Sequence, residues 1–384
     1  MKFDFSGEVY FDNHTHVLFT DKLSVTPDEV AYNYYHGLDF ETDEEGEPLP
    51  SEVSLGHLRS QSVVMMLVHA MSEKFGCEPT VEAVTAARNA RTTTKEKLAE
   101  YTADLFREEH VVGVMLDAPD PMDVPVGDCF PCKVYRLFRY ENELFALLKS
   151  ESTFADLAEK MIQRIRLAKA EGYAGLKGHI GERCGFAIRE VSPEEAESAF
   201  AQAKAGEKEA FRTVYYGLFP YILETCAEVD IPLHLHTGTT GFVGDIAVHS
   251  LDPVLMAPFL AKPQFMKTKI ILLHGSFPMN RNAAWMAYNF PNIYLDLSQT
   301  LLWQGFMAPR LLEEALSCCP HDKILLGTGQ HDYCEMVWLA SKIAKSALAE
   351  TMEHLVDRGM ISAEQACDSA RKVLSENALR LYGA

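Results

Sequence analysis

The sequence has no apolar run long enough to cross a bilayer. The longest, at residues 63–68, is far short of the roughly 20 residues a spanning helix needs. Acidic residues come early at the N-terminus and no apolar core follows them, so no signal peptide is expected. An excess of positive charge is also lacking: Lys+Arg 35 against Asp+Glu 55 leaves a formal net charge of −20. A field of that sign repels phosphate, which excludes nucleic acid and anionic membranes as general partners but still allows a local basic pocket for a small anion. There is no disulfide framework. The cysteines number nine and are scattered, which reads as reduced thiols in a cytoplasmic protein. Cys129 and Cys132 form a CxxC with no second one to complete a zinc site, so they read as structural thiols. No internal repeat and no linker interrupts the chain, which points to one domain over 1–384.

What is present is an alternation of buried strands and helices. Strand-like runs fall at 8–12, 111–117, 133–138, 173–179, 231–236, 268–274, 292–297 and 323–328. Near-continuous Val, Ile and Leu mark strands buried on both faces, as in parallel sheets. Helical patterns between them imply right-handed crossovers. Eight such units suggest an α/β fold closed as a (β/α)8 TIM barrel. The stretch from about 17 to 110 is longer than a crossover needs. It holds an acidic, turn-rich piece at 41–50, then helical patterns at 54–75 and 80–107, and is expected to be a helical cap over the barrel mouth. Further helices are expected at 153–171, 192–204, 208–229, 252–261, 280–289, 309–318, 333–358 and 362–382.

Functional side chains of such barrels gather at the C-terminal ends of the strands. His14 and His16 close the first strand and share a face, being two residues apart. Asp117 closes the second. Arg136 and Arg139 lie near the third, Lys177 and His179 close the fourth, His234 and His236 the fifth, and His274 the sixth. Four strands that end in His or Lys point to a divalent metal, because neutral imidazole ligates zinc, manganese, iron or nickel. Zinc is placed first among these. His234 is expected one layer deeper than His236, in the second ligand layer or the barrel core. Arginine suits a two-pronged grip on a carboxylate or phosphate. Arg136, Arg139 and Arg183 are therefore candidates to hold an anionic group, the other reading being ion pairs with acids such as Glu141 or Glu182.

Several motifs carry a family resemblance. They are His14-Thr-His16, Gly175-Leu-Lys-Gly178 followed by Arg183-Cys-Gly185, and Leu233-His-Leu-His-Thr-Gly238. They continue through Leu272-Leu-His-Gly-Ser-Phe-Pro278, Asn292-Ile-Tyr-Leu-Asp-Leu-Ser298 and Leu325-Leu-Gly-Thr328. In these the chain resembles the amidohydrolase superfamily, specifically its amidohydrolase-2 type, and the amidohydrolase-like domain sometimes fused to glutamine synthetase. The resemblance spans the barrel and leaves the stretch at 17–110 uncovered.

The resemblance implies that His14, His16 and His236 bind the metal, with one or two ions per chain. It implies that His274 is a second-metal ligand or a group on the substrate, and it favours Arg183 and Arg136 as substrate-binding residues of the pocket. Lys177 would be the strand-four lysine, carbamylated and bridging two metals in some relatives and an amine on the substrate in others. One departure stands out. Relatives carry an aspartate just after the eighth strand that binds metal and takes a proton from the attacking water. Here Gly329 occupies that place in Gly327-Thr-Gly-Gln-His-Asp332. His331, Asp332 and Asp296 are the candidates to replace it, with His331 and Asp332 the expected proton acceptors. The resulting expectation is a metal-dependent hydrolase of a small anionic amide, lactone or ester. The alternatives are a decarboxylase or isomerase on the same scaffold, or a non-catalytic binding member. A homo-oligomer is the default expectation for such an enzyme.

Overall fold

The computed structural model describes residues 2–33, 41–42, 48–49, 56–238, 247–329 and 331–383. Eight parallel strands lie side by side in chain order: β1 (Tyr10–Thr15), β2 (Val111–Leu116), β3 (Lys133–Arg139), β4 (Gly175–Gly178), β5 (Leu233–His236), β6 (Ile270–Leu273), β7 (Ile293–Asp296) and β8 (Ile324–Leu325). Two backbone hydrogen bonds close the seam between the last and the first: Asn13 N donates to Leu326 O at 2.8 Å and Gly329 N to His14 O at 2.6 Å. The chain is thus a (β/α)8 barrel, as the alternation of strands and helices implies.

Apolar residues recur along the strands because most strand positions are dry on both faces, as in β5 and β6. The outer face packs on the surrounding helices. The inner face forms a smaller cluster of Phe11, Met115, Leu137, Ile271, Leu273 and Leu325. The floor of that cluster is sealed by the C-terminal segment, where Ala378, Leu379 and Tyr382 pack against it. Asn377 anchors the segment by donating from Nδ2 to the carbonyls of His321 and Ile324, both at 2.8 Å. With one end plugged, the mouth at the strands' C-terminal ends is the face left for a ligand.

Local signals set the helix starts. Thr80, Thr94, Thr153, Ser192 and Ser362 each accept the backbone N–H three residues on, a cap worth about 1 kcal/mol apiece. Thr94 explains one difference from expectation: the helical pattern at 80–107 is two helices, Val81–Asn89 and Lys95–Glu108, with the break ahead of that cap. The pattern at 54–75 condenses to Ser62–Phe75 after a short turn of helix at 56–58. A helix at Tyr140–Ser150 was not anticipated, because it follows β3 with no turn residue between them.

The described helices of the long insertion pack on the helix Cys334–Asp357 and on the turns after β7, where Ser62 Oγ donates to Trp303 O at 3.3 Å. Arg88 pairs with Glu335 in a buried contact of 3.0 Å, and Trp338 Nε1 donates to Glu108 at 3.1 Å, which ties the insertion to the helix Cys334–Asp357. The insertion also carries a two-stranded ribbon, Glu41–Thr42 with Pro48–Leu49, where an acidic loop was expected. The rest of that expected loop, at 43–47 and 50, lies outside the described residues, as do 34–40 and 51–55. All nine cysteines are free. Burial raises the thiols of Cys129 and Cys132, the latter to about 12, which suits structural rather than redox duty. Among the described residues no helix is long and apolar enough to cross a membrane.

Candidate active site

Each barrel strand delivers one or two polar side chains to the mouth. His14 and His16 come from β1, with ring centroids 5.0 Å apart. The residue after β2 is Asp117. Its backbone oxygen lies 3.0 Å from His16 Nδ1, and its Oδ2 lies 3.9 Å from His14 Nε2. His14, His16 and Asp117 offer ligand atoms that all lie within 4.8 Å of one another. A second group, His179, Glu182 and His236, meets the same limit. His274 sits between them, its ring 5.0 Å from His14 and 4.4 Å from His236.

The surroundings decide the protonation of these groups. Burial holds His14, His16, His236 and His274 well below the ordinary imidazole range, and neighbouring cations add to it. They are therefore neutral, the form that donates a lone pair. Burial alone would push the Asp117 carboxyl up. The charges of Lys177 and Arg139, with the hydrogen bond from Arg139, outweigh it and hold Asp117 well below the usual carboxylate range. Arg139 Nε lies 2.5 Å from Asp117 Oδ1, and Lys177 Nζ lies 3.5 Å from Oδ2. The Lys177 amine is itself lowered, by burial first, against the raising effect of Asp117.

The unsatisfied atoms of the mouth bear on whether it fits a divalent cation. His14 Nδ1, Asp117 Oδ2 and His236 Nε2 are buried and have no hydrogen-bond partner. Buried polar atoms are normally paired, and three such orphans among neutral imidazoles and an ionised carboxylate fit a cation.

His274 occupies an unusual backbone position. His274, Gly275 and Ser276 run through positive φ, at 66°, 54° and 57°. For the two residues with side chains this conformation is costly and is sustained by its surroundings. Asp296 supplies them: its Oδ1 accepts from His274 N at 3.3 Å and from Ser298 N at 2.9 Å, and its Oδ2 accepts from Asn13 Nδ2 at 2.7 Å. The Ser298 hydroxyl donates to Asp296 Oδ1, and its oxygen lies 3.0 Å from His274 Nδ1. A serine that has given its proton away can only accept, so Nδ1 of His274 carries hydrogen and Nε2 keeps the lone pair.

Among the sequence-predicted residues, the mouth brings together His14, His16, His236, His274 and Lys177, with Lys177 Nζ 3.5 Å from His14 Nε2. His331 joins them by stacking its ring on His16 at 3.7 Å and 7°. Three candidates go elsewhere. Arg136 spends its guanidinium on the carbonyls of Asp120, Met122 and Val124, at 2.7, 3.1 and 3.0 Å, and so braces the loop after β2. Arg183 is exposed and lies over the ring of Phe145 at 5.4 Å. Asp332 pairs its backbone with Leu18, and its half-buried carboxyl, raised by burial, belongs to neither ligand group among the described residues.

Sequence reasoning missed Asp117 as a member of the first group and Arg139 as its partner. It also missed Glu182 as a member of the second group and Glu141 as the partner of His179. The signal for Asp117 was present, since it ends its strand as the histidines end theirs. The deeper position expected for His234 holds. It is fully buried, its ring lies 5.9 Å from that of Tyr382 on the barrel floor, and burial lowers it to about 3.

The place of the missing aspartate is closed. Gly329 has φ +64°, and a Cβ there would stand 2.8 Å from Gln299 Cγ and 3.0 Å from Gln299 N. Both the backbone and the packing demand glycine.

A parallel eight-stranded barrel whose mouth gathers imidazoles, a carboxylate and a buried lysine defines a class, the metal-dependent TIM-barrel enzymes. The chain belongs to the amidohydrolase family, whose model matches residues 166–384. It is 33% identical over 152 residues to protein fluG of Emericella nidulans, a stretch covering 39% of this chain and 17% of that protein. The chain thus spans less than a fifth of the curated relative it matches. Its fold is shared with a Lactobacillus casei protein whose description as a metal-dependent hydrolase is itself provisional (24% identity, 100% of this chain and 98% of that one, TM-score 0.80). It is also shared with uronate isomerase of Thermotoga maritima (13% identity, 97% and 94%, TM-score 0.69) and glucuronate isomerase of Caulobacter crescentus (14%, 98% and 92%, TM-score 0.65).

Proposed function

We propose that the protein is a metal-dependent hydrolase of a small anionic amide, lactone or ester. The observation that carries this reading is the group His14, His16 and Asp117, buried, mutually within ligand reach, with orphaned donor atoms. These residues would hold a divalent cation, zinc first. When bound, such an ion lowers the pKa of water and polarises a carbonyl. His274 supplies the base: its Nε2 lone pair is kept available by the Ser298–Asp296 chain behind it, and it replaces the carboxylate that Gly329 cannot provide. Arg139 is a quarter exposed while it holds Asp117, so one face of its guanidinium is open to an anionic substrate group. Lys177 adds a second cationic group at the same depth. His331 stacks on His16 and adds one more imidazole at the rim of the mouth.

A second reading, isomerisation or decarboxylation at the same centre, is favoured by one observation. The glycine at 329 is built into the backbone, and neither reaction requires a carboxylate there.

The test begins with elemental analysis of protein purified without chelator, beside a His14→Ala/His16→Ala control. Metal in the wild type that the control loses supports the centre. The loaded protein is then assayed on N-acyl amino acids and lactones, and on uronates. Hydrolysis supports the first reading, and isomerisation with no hydrolysis supports the second. No metal after incubation with zinc or manganese overturns both.

A further inference from the structure

We propose that a cleft on the outer wall of the barrel binds a small amphipathic anion, a carboxylate or sulfonate on an aromatic body, and that its occupation steadies the turn carrying His274. The cleft lies outside the mouth, and binding there does not depend on the chemistry proposed for the mouth.

The helices Asn280–Asn289 and Ala308–Cys318 pack on each other beside β7 and leave a cavity of about 690 Å³ between them. Ligand pockets commonly hold about 300–1,000 Å³. Leu295 and Leu297 line it from β7 and its end, and Ala284, Leu311 and Ala315 line it from the two helices. All five are buried members of the apolar layer outside the strands. Trp285 lines the same cavity with 44% of its surface exposed. An open indole beside an apolar wall is surface that a ligand would take out of water.

Charge selects the ligand. Of the charged side chains that line the cavity, Arg281 pairs with Glu314 at 2.6 Å, and Glu313 faces His354 at 3.3 Å. Arg310 is exposed and has no ion-pair or hydrogen-bond partner among the described residues. A chain of net charge −20 repels anions at long range, so an uncommitted guanidinium acts only on a group brought close to it. A guanidinium grips a carboxylate or sulfonate by two parallel hydrogen bonds, while an indole takes the flat apolar face of the same ligand.

The wall of the cleft is shared with the mouth. Side chains alternate in and out at the end of β7. Leu295 and Leu297 line the cavity, while Asp296 and Ser298 hold His274 through its backbone N–H and its Nδ1. Asn280 also lines the cavity and donates from Nδ2 to Gly275 O at 2.8 Å, in the middle of the turn of positive φ. The packing behind that turn is tight: a Cβ on Gly275 would stand 3.0 Å from both Asn280 Nδ2 and Leu297 Cδ2. A ligand that fills the cleft restrains the two side chains backing the turn, so the turn opens less often.

The test titrates the full chain with two fluorescent probes, anilinonaphthalene sulfonate and the uncharged phenylnaphthylamine. Wild type is expected to bind each at one saturable site. Trp285→Ala should weaken both by about 5-fold. Arg310→Gln should weaken the sulfonate by about 10-fold and leave the uncharged probe unchanged. Both substitutions fall on exposed positions, so the fold tolerates them, and thermal midpoints equal to wild type check this. Saturating sulfonate should also slow amide hydrogen exchange in the segment 270–279, which carries the turn and none of the residues lining the cavity. No saturable binding, or affinities that neither substitution changes, would overturn the site. Equal weakening of both probes by Arg310→Gln would overturn the preference for an anion. Binding with unchanged exchange at 270–279 would overturn the link to His274. Metal content and the reaction at the mouth are read separately, so each of these failures leaves the proposed function standing.

Discussion

His236 and His234 are two residues apart on one strand, yet they live in different chemistry. His236 reaches the mouth, where its Nε2 is buried without a partner beside Glu182. His234 points into the barrel, where Tyr382 closes over it and its Nε2 lies 3.3 Å from the tyrosine hydroxyl. Both are neutral because both are buried. Each keeps one ring nitrogen without a hydrogen-bond partner, Nε2 in His236 and Nδ1 in His234, but among the described residues only the nitrogen of His236 lies beside a carboxylate. Depth along the barrel axis, not residue type, sets what each histidine meets. The floor is finished by the chain's own C-terminal segment, while the mouth gathers acidic side chains.

That contrast can be broken from either end. The largest effect is expected at the mouth. His274→Gln removes the proposed base while leaving both ligand groups intact, so kcat should fall by about 10²–10⁴-fold with metal content unchanged. Elemental analysis beside the assay checks this, and loss of metal in step with activity would make His274 a ligand instead. Next comes the floor. Tyr382→Ala opens space against Phe11 and His234 and should cost about 3–5 kcal/mol in urea unfolding, with the metal stoichiometry of wild type. If that variant lost metal, mouth and floor would be coupled.

At the seam between them, Gly329→Asp restores the family's carboxylate in sequence. It should destabilise by about 1–3 kcal/mol, because φ is +64° and Gln299 fills the space, and it should bring no gain in hydrolysis. A stable variant with new hydrolytic activity would show that the glycine is dispensable to the backbone.

The smallest effect, residue for residue, concerns pH. His14, His16, His234, His236 and His274 have folded-state values lowered by burial, so the unfolded chain binds protons that the folded chain refuses. Their stabilising contribution is complete above about pH 6.5 and is lost as pH falls below it, at up to about 1.4 kcal/mol per pH unit for each histidine. For His234 the loss runs down to about pH 3, where it too becomes protonated. Metal-free protein unfolded in urea at pH 7.0 and 5.5 should be clearly weaker at 5.5. Equal stability at both would mean that these rings are not buried neutral.

The sequence by itself determined the barrel and most of the mouth. Alternating strand and helix patterns, with runs such as Ile270–Leu273 buried on both faces, point to a parallel sheet, and the histidines ending β1, β5 and β6 then fall on one rim. It also determined that the usual carboxylate after β8 is absent. Only the tertiary structure decided which polar groups meet. Asp117 joins His14 and His16 because β1 and β2 are neighbours, although about a hundred residues of insertion separate them in the chain. Arg136 and Arg139 share a strand and a charge, but one braces a loop and the other grips Asp117. Arg183 turns outward to Phe145. A strand's inward and outward alternation is local and can be read from spacing. The partner of a long side chain depends on which strands close beside it and what they leave unpaired, and that exists only once the barrel has formed.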